Sequence, residues 1–454
     1  MPVELSARQL ALLQRLRAGG GATTSTSTIP HSASAAPVLS SAQERIWFSE
    51  QLWPGTAVQN LAAAITLTGP LDVAALRAAL ARIVARHEPL RTRYRPAPEL
   101  FAGPELIEAG AEAEVGTLAR EPIDLSHGPL RLRLLRRAAD RHVLLIVCHH
   151  IAFDGWSLGV LVAELSAYYG TAAELPDLPV RYTDFARWQR DRAAAGDFEA
   201  DLRHWTRELA GEPPPLDFPT GRPRPARLTF RGRIHRFAVD PPVVRRLGEL
   251  AQRERTPGFS ILTAAFAATL GSLTGRRRMT IGSPVANRVR PELESLIGVF
   301  INTVCLRVAI EEGDTFRTLL HRAHRTCQAA LSRAEAPFEL VVRRVNPPRD
   351  PSRNPLYSAM LVYQNSPLPP FALPGLTAEV EQLDTGTAKV DLTLYVEDRS
   401  GGFRCSLEHN TDLLDETWAA RIAGRFQALL AAGVARPDTL VADLMAAHPH
   451  PGGD

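Results

Sequence analysis

Two adjacent imidazoles, His149 and His150, close the apolar run Val143-Leu-Leu-Ile-Val-Cys148 and are followed by Asp154 and Gly155. Imidazole is the one side chain whose unperturbed pKa lies near neutral pH. A histidine presented to a cleft at a strand-to-helix turn is therefore suited to take or give a proton. Successive strand residues point to opposite sides, so one ring can face a cleft while its neighbour packs inside. The same alternation prevents the pair from chelating one ion, and no third ligand is suggested, so no metal is expected. Paired histidines taken alone are more often packing or surface residues.

These residues need a strand before them and a helix after them. The run 143–148 is apolar and β-rich, and Leu158, Leu161, Val162 and Leu165 follow at helical spacing. Leu130, Leu132 and Leu134 alternate with Arg131 and Arg133, which predicts a half-exposed strand beside the first. Val73, Leu76, Leu80, Ile83 and Val84 share one helix face, with Asp72 as its N-cap. Past a proline-rich break, Thr256-Pro257 is expected to open a helix carrying Phe259, Leu262, Phe266 and Leu270, with Thr256 as the cap. Strands are expected around 279–285, 299–308 and 357–363. A hairpin follows, and then a last helix with Trp418, Ile422, Phe426, Leu429 and Leu430 inward.

The 454 residues suffice for two domains with separate cores. We place an N-terminal helix and flexible Gly/Ser/Thr/Ala-rich linker at 1–36 and a first lobe at 37–210. A proline-rich linker at 211–225, a second lobe at 226–445 and a tail at 446–454 complete the chain. The net charge is +3, with the arginines dispersed, so no nucleic-acid partner is expected. No run approaches the ~18 apolar residues of a membrane span, and the N-terminus lacks a signal-peptide layout. The four scattered cysteines read as reduced thiols of a cytoplasmic protein.

The segment HHIAFDG (149–155) resembles the HHxxxDG signature of nonribosomal peptide synthetase condensation domains and of the wider chloramphenicol-acetyltransferase-like acyltransferases. Six further stretches resemble that family's motifs in the family's order: LSSAQERIW (39–47), RHEPLRTRY (86–94), YTDFARWQ (182–189), IGVFINTVCLR (297–307), APFELVV (336–342) and RDPSRNPLYSAML (349–361). Together with the signature they run through nearly all of residues 37–445. Just before APFELVV, Arg333-Ala-Glu335 stands where the family often has His-Gln-Asp.

The resemblance implies an α/β fold of two acyltransferase-like lobes with mixed sheets, set in a V around a tunnel reached from both faces. Carrier proteins would deliver substrates on phosphopantetheine arms, with no bound cofactor. The acceptor, free or carrier-bound, would be an amine or a hydroxyl. His150 is then the catalytic residue, as base or as hydrogen-bond partner of the nucleophile. His149 orients the turn, Asp154 pairs with Arg288 of the second lobe, and Gly155 leaves room for the arm. Ser157 and Asn302 are candidates for polar contacts in the tunnel, or else local backbone caps. The Met-Pro-Val-Glu start and the short tail favour a stand-alone enzyme over an excised domain. A CoA-dependent acyltransferase of the same superfamily and a non-catalytic docking module of an assembly line are the competing readings.

Overall fold

The apolar run ending in the two histidines forms the middle strand of a five-stranded sheet. The computed structural model describes residues 28–32, 36–95, 97–110, 112–171, 174–211, 216–364, 371–399 and 402–447. The expected N-terminal helix, the linker at 1–27 and 33–35, the prolines at 213–215 and the tail beyond 447 lie outside these.

The first half supplies β1 (Asn60–Thr68), β2 (Thr92–Tyr94), β3 (Pro98–Leu100), β4 (Leu106–Ala109), β5 (Leu130–Ala138) and β6 (Arg141–His149). The second half supplies β7 (Gly232–Val239), β8 (Arg278–Val285), β9 (Asn302–Ala309), β10 (Ala359–Gln364), β11 (Thr377–Gln382), β12 (Leu392–Arg399) and β13 (Gly402–Asn410). The first sheet has the order β11-β1-β6-β5-β4 and the second β7-β13-β12-β10-β8-β9, with β2 and β3 as a separate pair. Both large sheets are mixed: β4 runs parallel to β5, and β10 runs parallel to β8 and β12. The α/β architecture expected from the sequence is therefore present.

Burial explains the patterns. Every side chain of β6 from His142 to His149 is buried, so its sequence does not alternate. β5, with its arginines half-buried between buried leucines, does alternate. The Asp72 side chain accepts from Ala75 N–H and caps the helix Val73–Arg86, as expected. Thr256 does not cap: the next helix spans Gly258–Thr274 behind Pro257, and the Thr256 hydroxyl is buried without a hydrogen-bond partner.

Two hydrophobic cores form, one under each sheet. The division near residue 211 is not strict along the chain. β11 pairs antiparallel with β1 and becomes an edge of the first sheet. Leu293, Leu296, Ile297, Val299 and Phe300 pack into the first core although they follow the proline-rich stretch. The chain thus crosses back twice, and the second crossing covers an edge that β1 would otherwise expose. No single helix among the described residues is long and apolar enough to cross a membrane.

Candidate functional site

His149 and His150 take opposite tautomers, and their hydrogen bonds dictate this. Ile151 N–H donates to His149 Nδ1 at 3.2 Å, so the proton of His149 sits on Nε2, 3.4 Å from Glu50 Oε2. His150 Nδ1 lies 2.6 Å from the Phe153 carbonyl. A carbonyl only accepts, so Nδ1 carries the proton and Nε2 carries the lone pair. His149 is fully buried and holds the turn, while His150 is half-buried and lines a cavity of about 2030 Å³.

Burial holds the His150 pKa well below the ordinary histidine value, and the Lys389 ammonium adds to the effect. The Phe153 carbonyl opposes it more weakly. At neutral pH the ring is therefore uncharged and can accept a proton or a hydrogen bond at Nε2. His149 is also held below its ordinary value, chiefly by burial, against the pull of Glu50.

Asp154 is buried behind the turn, capping the helix Gly155–Tyr168 by accepting from Ser157 N–H at 2.9 Å. It faces Arg288, whose Nη2 lies 3.1 Å from Oδ1 and 3.4 Å from Oδ2. Phe300 N–H donates to Oδ2 at 3.0 Å. The guanidinium also donates to the carbonyls of Leu293 and Leu296, and it lies 4.1 Å from the centre of the Phe300 ring. The expected pair exists, and it joins the histidine turn to a segment 134 positions later.

Ser157 and Asn302 are not tunnel contacts. The Ser157 hydroxyl is buried 2.7 Å from Asp154 Oδ1 and 2.9 Å from the Gly298 carbonyl, and it accepts from Gly298 N–H. Asn302 Nδ2 donates to the carbonyls of Ala334 and Ala336, and its oxygen accepts from Phe338 N–H. Each side chain has spent its polar atoms on nearby backbone. Asn302→Ala is expected to cost about 1–3 kcal/mol of stability and leave turnover per folded molecule unchanged. Urea unfolding beside steady-state kinetics checks this; a raised KM at unchanged stability would return Asn302 to the tunnel.

At Gly155 a Cβ would meet nothing within 4 Å, and the residue lines the cavity. Gly298 is the opposite case. A Cβ at Gly298 would lie 2.4 Å from the Tyr182 ring, so only glycine lets that segment close on the first lobe. Tyr182 in turn donates to the Val299 carbonyl at 2.8 Å. Gln43 Nε2 donates to the Ile151 carbonyl, and His87 Nδ1 accepts from Ile297 N–H. Gln43 of 39–47, His87 of 86–94 and Tyr182 of 182–189 thus brace the turn and the 297–300 segment. None of Arg333-Ala-Glu335 lines the cavity that His150 faces, and Glu335 pairs with Arg192 at 2.8 Å.

Sequence reasoning missed the charged wall that the second lobe gives the cavity. Lys389 and Glu408 both line it. Burial pushes the lysine down to about 8 and the glutamate up to about 7, each pulled back by the other's charge. Composition held a signal: of 52 lysines and arginines in the chain, Lys389 is the sole lysine.

A profile of the family described as Condensation domain matches residues 34–100 and 104–449. The chain belongs to the condensation domain family. It is 38% identical over 441 residues to chondramide synthase cmdD from Chondromyces crocatus, covering 92% of this chain and 11% of that protein. It is 35% identical over 417 residues to malpinin synthetase from Mortierella alpina, covering 87% of the chain and 5% of that protein. It is 38% identical over 430 residues to phosphinothricin tripeptide synthetase PhsC from Streptomyces viridochromogenes, covering 87% and 39%. The condensation domain therefore spans a minor part of these relatives.

Among solved structures, the X-domain from teicoplanin biosynthesis superposes with a TM-score of 0.84 at 26% identity, over 92% of this chain and 99% of that one. The condensation domain from Monacolin K polyketide synthase MokA superposes at 0.80 and 20% identity, over 89% and 98%, and shares the fold.

Proposed function

We propose that this condensation domain catalyses acyl transfer in natural-product assembly. The donor is an aminoacyl or acyl thioester on the phosphopantetheine of a peptidyl carrier protein, and the acceptor is a small amine or hydroxyl, free or carrier-bound. The observation that carries the reading is the neutral His150, its Nδ1–H tied to the Phe153 carbonyl and its Nε2 left with the lone pair, on the wall of a cavity walled by both lobes. The cavity, about 2030 Å³, exceeds the ~300–1,000 Å³ of ordinary small-molecule sites, which suits two substrates meeting.

In this reading the acceptor N–H or O–H hydrogen-bonds to His150 Nε2. As the acceptor attacks the thioester carbon, the proton passes to the ring. The tetrahedral centre collapses, the C–S bond breaks, and the imidazolium returns its proton to the departing thiolate. His149 keeps the turn rigid, while Asp154 and Arg288 lock it to the second lobe. No resident cofactor takes part, and the reaction runs in the cytoplasm.

The experiment is mass spectrometry of a panel of carrier-loaded donors with amine and alcohol acceptors. Condensation predicts product only when donor and acceptor are both present, with amide or ester bonds distinguished by hydroxylamine cleavage. Hydrolysis alone, or no consumption of any donor, contradicts it. The X-domain from teicoplanin biosynthesis, which this chain resembles, forms a complex with OxyB, and that likeness supports a second reading as a docking module. Tight binding of a partner protein with no product from any donor would favour that reading.

Gly155 gives a further expectation. Gly155→Trp fills the cavity at a point where a side chain meets open space. Turnover of carrier-bound substrates should fall on the order of 10²-fold. The unfolding free energy should stay within about 0.5 kcal/mol. Equal turnover in the kinetic assay would remove Gly155 from the path of the arm.

A further inference from the structure

The second lobe's sheet has helices on one face and the cavity on the other. Helices Pro241–Arg253 and Glu416–Ala435 pack against β7 and β13, and Leu361, Leu394, Cys405 and Leu407 belong to the core on that side. The alternate side chains of the same strands line the cavity. Strand register sets them in rows. Arg236 of β7 stands opposite Ser406 of β13, Ser406 stands opposite Tyr395 of β12, and Glu408 and Thr393 occupy the adjoining row.

The row Arg236–Ser406–Tyr395 is rich in donors and holds no partner for them. Of the arginines that the described strands present to the cavity, Arg404 pairs with Glu397 at 2.6 Å, while Arg236 is exposed and has no ion-pair partner among the described residues. The Ser406 and Tyr395 hydroxyls likewise make no hydrogen bond among the described residues. Burial pushes the Tyr395 phenol well above its ordinary value, so it keeps its proton and remains a donor. Adjacent strands lie about 4.8 Å apart, so a long guanidinium and a phenol flank one short hydroxyl. The arginine that the first lobe gives the cavity, Arg45, is taken by Glu339 at 2.9 Å.

We propose that this row holds a carboxylate of the substrate: Arg236 takes it as an ion pair, and the Ser406 and Tyr395 hydroxyls donate to its oxygens. Guanidinium only donates and meets a carboxylate with two parallel hydrogen bonds, and a hydroxyl facing a cavity can turn to donate. No acidic side chain of the sheet takes that place. Glu408, one row away, makes no ion pair with Arg236, and Glu397 is taken by Arg404. The carboxylate can come from a free acceptor such as an amino acid, whose own carboxylate is not tied up in a thioester, or from the side chain of a carrier-bound aminoacyl group. This role rests on the reading of the chain as a condensation enzyme and gives its substrate class, but its test needs no turnover.

That test measures binding to the full chain in two arms. The first uses the free amino acids and their carboxamides, read by saturation-transfer NMR. The second uses labelled carrier protein whose pantetheine is joined through an unreactive amide to an aspartyl, asparaginyl, glutamyl or glutaminyl group, read by fluorescence anisotropy. In one arm the carboxylate form should bind tighter than its amide by roughly 10–100-fold, the span of a charge-assisted hydrogen bond. Arg236→Met, an exposed substitution, should abolish the difference. Tyr395→Phe and Ser406→Ala should each shrink it by roughly 2–10-fold. The arm that responds identifies the source of the carboxylate.

Carboxylate and amide forms that bind alike in both arms, or a preference that survives Arg236→Met, overturn the proposal whatever the activity. So does an Arg236→Met loss equal for every loaded and unloaded carrier, which would put the phosphate of the pantetheine arm on the guanidinium instead. A wild type that shows the carboxylate preference and yet condenses no pair would overturn the function, with the site still standing.

Discussion

His150→Ala is expected to slow condensation by about 10²–10⁴-fold, the usual contribution of a positioned base, with the fold intact. The ring contributes one internal hydrogen bond, to the Phe153 carbonyl, and is half-buried against a cavity rather than packed in a core. Its removal therefore enlarges an existing space instead of opening a void. Stopped-flow or quenched single-turnover rates, with circular dichroism on the same samples, check both halves. The pH dependence follows from the lowered pKa. The base is unprotonated above that value, so the wild-type rate should hold flat from neutral pH through the ordinary histidine range near 6.5 and fall only below it. A limb centred at or above 6.5 would mean that the ring is not shielded as described. Residual activity within about three-fold of wild type in His150→Ala would place proton transfer elsewhere.

The second large effect concerns stability. Asp154→Ala is expected to cost about 3–5 kcal/mol, because it strands a buried guanidinium. The two side chains are 3% and 2% exposed, so water cannot replace the lost partner. Two backbone donors, the Ser157 N–H and the Phe300 N–H, also lose their acceptor, while the Ser157 hydroxyl keeps the Gly298 carbonyl. Asp154→Asn should cost less, since the amide oxygen still caps the helix. Asp154→Ala combined with Arg288→Met should recover part of the loss by removing the orphaned charge. Urea unfolding of the four proteins measures the coupling. A loss under about 1 kcal/mol in Asp154→Ala, the range of an exposed ion pair, would mean that the pair does not hold the lobes together.

The histidine turn was legible in the sequence because its determinants are local. An apolar run, two imidazoles, a carboxylate at an N-cap position and a helical repeat occupy a short continuous stretch. Arg288 was reachable through the family resemblance alone; nothing in the spacing between 154 and 288 points to a contact. For Ser157 and Asn302 the sequence left two readings open, a tunnel contact or a local backbone cap, because a polar residue beside a signature suits either. Their hydrogen bonds go to Asp154, Gly298, Ala334, Ala336 and Phe338, partners that one sequence does not reveal. The return of β11 to the first sheet was equally hidden. Thr377–Gln382 alternates like any half-exposed strand, and the pattern does not say which edge it will join. Lys389 is the single lysine of the chain, but nothing in the sequence around it places it on the cavity wall.

Delivery of the donor separates a carrier-dependent condensation enzyme from its CoA-dependent cousins. The measurement is the single-turnover rate of one competent donor presented at equal concentration on its carrier protein, on CoA and as a short pantetheine thioester. The carrier-bound donor should react fastest by at least about ten-fold, the margin of one good contact, and His150→Ala should abolish the difference in product. CoA used as fast as the carrier would contradict carrier dependence and make the chain a CoA-dependent acyltransferase.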